Sequence, residues 1–167
     1  MPAITCAPWQ RDQRSFLLQR VQPAMTGLID GSLSTLAPIF AVAFATHRSH
    51  YAFLAGLATA IGAGVSMAFS EGLSDTGDLT GRGRPLRRGA ITGAGTFLGG
   101  VLHTLPFLIS QFRPAVLLAL AAAGLELLAL AWIRRRFFGA GFVRSLVTVT
   151  LAGAIIATIS AALGAVS

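Results

Sequence analysis

The chain has 167 residues, 54% of them hydrophobic, and carries 13 basic and 6 acidic side chains, so only 11% of it is charged. A soluble domain is about 25% charged, which excludes an ordinary water-soluble enzyme, and the wealth of aliphatic residues excludes a disordered chain. The net charge of +7 forms no nucleic-acid stripe, because all the basic residues are arginines that flank apolar runs.

What remains is an all-α integral membrane protein, and at about 20 residues per span the chain has room for five helices with short loops. Residues 1–21 form an N-terminal segment holding Asp12 and three arginines, with no apolar core or small-residue cleavage site of a secretory signal. It is expected to stay uncleaved on the cytoplasmic side. Cys6 is the single cysteine and has no partner for an intramolecular disulfide. Apolar runs at 22–46, 51–73, 88–110, 114–133 and 142–166 are the predicted spans, together one transporter-like domain over 22–167. Pro38 and Pro106 fall inside the first and third, where they would free the carbonyls of Ser34 and Leu102 and kink the helix. Pro114 opens the fourth, where it breaks no hydrogen bond. Small residues recur at helical spacing, Gly27 with Gly31, Ala60 with Gly64 and Gly95 with Gly99, as close helix packing requires. The stretch Gly72–Pro85, rich in Gly, Asp and hydroxyl residues, is expected to be a flexible connector.

Arginine placement sets the topology. Segments 1–21, 74–88 and 134–144 hold eleven of the thirteen, and the two intervening loops hold only Arg48 and Arg113. Positive flanks are retained in the cytoplasm, so five spans run N-in to C-out.

Ionisable residues within spans are expensive, about 2.5–3.5 kcal/mol each on insertion scales, and mark pathways, proton relays or buried pairs. Asp30 lies about 12 Å into the first span at 1.5 Å per residue. On the second, Met67, Glu71 and Asp75 are spaced i, i+4, i+8 and form one stripe that Asp78 continues into the loop. Carboxylates with a thioether suit a borderline divalent ion such as Fe²⁺ better than Mg²⁺ or Ca²⁺. Packing is the competing role for Met67, snorkelling for Glu71, and solvation or pairing with the four nearby arginines for Asp75 and Asp78. Glu126, near mid-membrane on the fourth span, has no cation one turn away, so it must be protonated, paired across helices or facing water. His103, toward the outer side of the third, reads as a neutral imidazole bonded to a neighbouring helix, or as a proton acceptor. No hydrolase constellation, phosphate loop or multi-thiolate site is present in the sequence, so no enzyme is expected.

The segments Gly27-Leu-Ile-Asp30-Gly-Ser-Leu-Ser-Thr-Leu-Ala-Pro38 and Gly62-Ala-Gly-Val-Ser-Met67-Ala-Phe-Ser-Glu71 resemble the vacuolar iron transporter family. Ala-Phe-Ala-Thr-His47, Leu-Thr-Gly-Arg-Gly-Arg-Pro85 and His103-Thr-Leu-Pro-Phe107 bring the resemblance nearest to the membrane domain of bacterial membrane-bound ferritins, without their ferritin-like domain. It covers about 20–167. The resemblance implies a homodimer in the bacterial cytoplasmic membrane, with the ion path between paired first helices. It also implies export of Fe²⁺, or Mn²⁺, in exchange for protons, with no prosthetic group. Asp30 and Met67 would line the path, with Glu71 beyond the Met and Gly27 and Gly31 permitting close approach. Asp75 and Asp78 would form a minimal metal-collecting vestibule, and Glu126 or His103 would exchange protons. The alternative is a non-transporting anchor for a separate soluble ferritin-like partner; a carrier of a small organic cation fits the composition alone.

Overall fold

The computed structural model of the chain describes residues 8–78 and 80–166; Cys6 lies outside them. A first rod comprises α1 (Pro8–Phe16), a wide π turn at Leu17–Val21, α2 (Gln22–Ser34) and α3 (Leu36–Thr46). The N-terminal segment is therefore helical from Pro8 and runs without a break into the first span. The rod is interrupted at Thr35, where Pro38 has no N–H to give the Ser34 carbonyl. The flanking bonds are long, 3.4 Å from the Thr35 N–H to the Gly31 carbonyl and 3.2 Å from Ile39 to Thr35. His47, in the left-handed conformation at φ 52°, ends α3 and turns the chain into α4 (Ser49–Ser74). A loop leads to α5 (Pro85–Leu102), which opens on a proline, the residue suited to a first turn. After a 3-10 turn at Leu105–Leu108 come α6 (Phe112–Phe138), stopped by left-handed Gly139, and α7 (Phe142–Val166).

Among the described residues, four stretches are long and apolar enough to cross a membrane: Asp12–Thr46, Ser49–Ser74, Phe112–Phe138 and Phe142–Ala165. The third predicted run, 88–110, differs from expectation. Its helix begins at Pro85 and stops at Leu102, because Pro106 withholds the N–H that the Leu102 carbonyl needs. With seven glycines and threonines buried along it and Arg87 and Arg88 in its first turn, α5 is not apolar enough to stand in lipid alone. It is walled instead by α2 on one side and α4 on the other.

The walls meet at backbone distance. A methyl group on Gly27 or Gly31 would fall on the carbonyl oxygens of Thr92 and Thr96, and one on Gly99 would come within 2.6 Å of the Leu28 carbonyl. On the α4 side, Gly93 and Gly100 lie against Gly64 and Ala60. The small-residue pairs thus serve packing, and Gly27 and Gly31 face α5 of the same chain. Further along, Ile39, Ala43, Ala52, Phe107, Ala115 and Ala119 close a compact apolar cluster, while Leu54, Ile61, Val65 and Phe69 of α4 and Val147, Leu151, Ile155 and Ile159 of α7 point outward. Apolar side chains outside and small or hydroxyl residues inside are what a bilayer solvent selects.

The α3–α4 turn meets the start of α6 through ring contacts of Phe44 and His47 with Phe112, at 6.2 and 5.1 Å, so Arg48 and Arg113 share one end of the bundle. Gln19 bonds the Gly81 carbonyl at 3.3 Å at the other end, where the remaining arginine segments gather.

Replacing Gly31 by Ala should push α2 off α5 and lower stability by about 1–3 kcal/mol, the usual effect of overpacking. Gly62→Ala, facing open space, should be neutral or slightly stabilising. Thermal unfolding in detergent of the two variants checks this; equal loss in both would refute the packing assignment.

Candidate functional site

At the arginine-rich end, Glu71 and Asp75 project one turn apart from the end of α4 and meet two arginines. Glu71 Oε1 accepts from Arg82 Nη2 at 2.6 Å and from Arg88 Nε at 2.9 Å, while Asp75 accepts from Arg82 Nη1 at 3.1 Å. The Arg88 side chain is 1% exposed. Its guanidinium also donates to the backbone carbonyls of Glu71 at 3.3 Å, Asp75 at 3.2 Å and Gly83 at 3.1 Å. A cation here satisfies the last carbonyls of α4 and the negative end of its dipole. It also ties down the connector, whose Gly77 packs on the Gly83 carbonyl at φ 85°, a conformation glycine adopts freely. The segment expected to be flexible is thereby pinned. Two acids offset two bases, so Glu71 and Asp75 are engaged with arginine, and exposed Asp78 stands outside the network. Arg88 was legible only as a topology signal; the acids at i and i+4 opposite it were the clue to its pairing.

Asp30 differs from these acids. It is half-buried on α2, and its carboxylate makes no hydrogen bond or ion pair among the described residues. Its backbone carbonyl accepts the Ser34 hydroxyl at 2.7 Å. At 3.6 residues per turn Asp30 shares a side of α2 with exposed Thr26, turned away from the face that Gly27, Leu28 and Gly31 press on α5. Met67 is half-buried on α4, one turn before Glu71. No hydrogen bond or ion pair brings Asp30 to α4, and among the described residues no three His, Cys, Asp or Glu side chains come together as a metal cluster.

Midway along the bundle, His103 caps α5 and is 1% exposed. Its Nε2 lies 2.6 Å from Thr35 Oγ1 and its Nδ1 3.1 Å from Glu126 Oε2. The Thr35 hydroxyl in turn donates to the Gly31 carbonyl at 2.8 Å. Glu126 is thus paired across helices, and His103 bonds neighbours on two of them. Thr35 was missed in the sequence, although its place three residues before Pro38, at the helix break, singles it out.

No protein-family model, no curated protein and no solved structure matches the chain.

The arginine network generates two stability effects that calorimetry in detergent can separate. Arg88→Leu removes the buried cation that Glu71, Asp75 and three backbone carbonyls share, leaving the carboxylates to Arg82 alone, and should remove about 3–5 kcal/mol, as breaking a buried pair does. Desolvation pushes the Asp75 carboxyl up, but hydrogen bonds from Thr80, Arg82 and the Gly77 N–H, with the Arg88 charge, outweigh it and hold it below the ordinary 3.8. Its stabilisation is therefore complete above that value and is lost as pH falls through the depressed one. Asp75→Asn should show a shallower acid decline than the parent; an identical decline would contradict the pairing.

Proposed function

We propose that the chain is a multi-pass membrane carrier that exports Fe²⁺, or Mn²⁺, from a bacterial cytoplasm in exchange for protons, as its resemblance to vacuolar iron transporters implies. The observation that carries the reading is Asp30: a carboxylate without a partner, on a span interrupted five residues further on. A structural carboxylate in a bundle is paired, as Glu71 and Glu126 are, because an uncompensated charge at depth is costly. Interrupted helices are also a recurring device at carrier ion sites, where half-helix ends meet the ion.

In this reading Asp30 and Met67 bind the cation, oxygen and sulfur together favouring Fe²⁺ over Mg²⁺. Asp78, with Asp75 and Glu71 when released from their arginines, receives it at the cytoplasmic mouth. The side of α2 that bears Asp30 and Thr26 is free of α5, and it is there that a second copy would join in a homodimer. Protons and divalent cations compete for a carboxylate, so one site can couple the two fluxes.

Proteoliposomes with an acidic interior are expected to take up Fe²⁺, and Asp30→Ala to abolish uptake. Unchanged uptake in that variant would remove Asp30 from the path. Absence of flux in the unaltered protein, with co-purification of a ferritin-like partner, would select the anchor role instead.

A further inference from the structure

The hydrogen-bond chain at Thr35, His103 and Glu126 has a direction fixed by its weakest donor. A hydroxyl has one hydrogen, and that of Thr35 goes to the Gly31 carbonyl. His103 Nε2 must then be the donor to Thr35, which leaves Nδ1 to share a proton with Glu126 Oε2. Two arrangements fit: a carboxyl donating to a neutral imidazole, or an imidazolium donating to a carboxylate. Both hold one proton between the two atoms. Oε1 of Glu126 is buried without a partner. A buried lone oxygen is tolerated far better in a neutral carboxyl than in an anion, which favours the first arrangement. Removing the proton would set the Nδ1 lone pair against a bare carboxylate.

Little else is near to compensate. On the surrounding elements the titratable or charged groups are Asp30 on α2, His50, Tyr51 and Glu71 on α4, Arg87 and Arg88 on α5, Arg113 and Arg134–Arg136 on α6 and Arg144 on α7, with none on α3. Arg134, eight residues from Glu126, is about 12 Å along the axis, and Arg113 about 20 Å.

We propose that Glu126 and His103, with Thr35 as the positioning residue, form a one-proton store at the break in the first span. It is a store and not a wire, because the chain of donors ends on the Gly31 backbone carbonyl, which has no proton to pass on. Exchange therefore takes place at the Glu126 end, where Oε1 is unpartnered. The store holds the joint between α2 and α3 about 7.5 Å along the helix from Asp30, so its proton content acts on the half-helix that carries Asp30. This last link rests on the transport reading; the store itself does not.

Nitrogen NMR of ¹⁵N-histidine-labelled protein in lipid nanodiscs, with His103→Gln to assign its signals against His47 and His50, tests the store directly. His103 is expected to show a single tautomer with a protonated Nε2 and a hydrogen-bonded Nδ1, and Glu126→Gln to shift the Nδ1 signal alone. Thr35→Val should release a mixture of tautomers, and Thr35→Ser, which keeps the hydroxyl, should restore the single one. A tautomer mixture in the parent protein, or no difference between Thr35→Val and Thr35→Ser, would overturn the proposal. In proteoliposomes Glu126→Gln is expected to lower the proton counterflow per metal ion moved, the remainder being supplied by competition at Asp30. Preserved counterflow would overturn the coupling, whereas absence of metal flux in the parent would refute the transport reading and leave the NMR result to decide the store.

Discussion

The bundle depends on a helix that cannot stand in lipid alone. α5 shows apolar Leu86, Leu98 and Leu102 on its outer side, but it carries Arg88 at its foot and His103 at its head, which are acceptable in a membrane only if protein covers them, and its glycines and threonines form the covered face. Covering it brings α2 and α4 to backbone contact, and the glycines on all three helices are what let them come so close. Burial of α5 in turn carries Arg88 to the end of α4 and His103 to the break in the first span. Both polar centres of the protein are therefore consequences of one packing requirement.

The two centres differ in kind. At the arginine-rich end charges balance, a guanidinium closes the carbonyls of α4, and the connector is locked against it. At mid-depth an acid and an imidazole share a proton, and the neutral pair they favour is compatible with low dielectric. Asp30 belongs to neither. It lies between them along the first rod, on the side of α2 that α5 leaves uncovered, and its carboxylate has no partner among the described residues.

Much of this was legible in the sequence, for physical reasons. Four of the five apolar runs followed from length and composition, the grouping of arginines at the ends of the bundle from the need to keep charge out of an apolar medium, and the breaks at Thr35 and Leu102 from prolines that remove a donor four residues away. Pairing was legible only as one alternative, for Asp75 and Asp78 with the arginines and for Glu126 across helices, and its partners were not. Glu71 read as a ligand because a helical stripe shows which acids share a face but not which arginine will fold back over them. Gly27 and Gly31 read as a surface for a second copy because small residues announce a close approach without naming the neighbour. The end of α5 was set too late because apolar composition continues past Leu102 while its hydrogen bonds do not. Thr35 escaped notice since a hydroxyl in a helix ordinarily bonds its own backbone, as this one also does.

The central claim is that Asp30 is the ion-binding carboxylate and that Glu71 and Asp75 are held by arginine. Anomalous diffraction from crystals soaked in Mn²⁺ or Fe²⁺ addresses it most directly. The expected result is a metal peak at the Asp30 carboxylate with the Met67 sulfur beside it. A peak at Glu71 and Asp75 with Arg82 and Arg88 displaced, and none at Asp30, would contradict it.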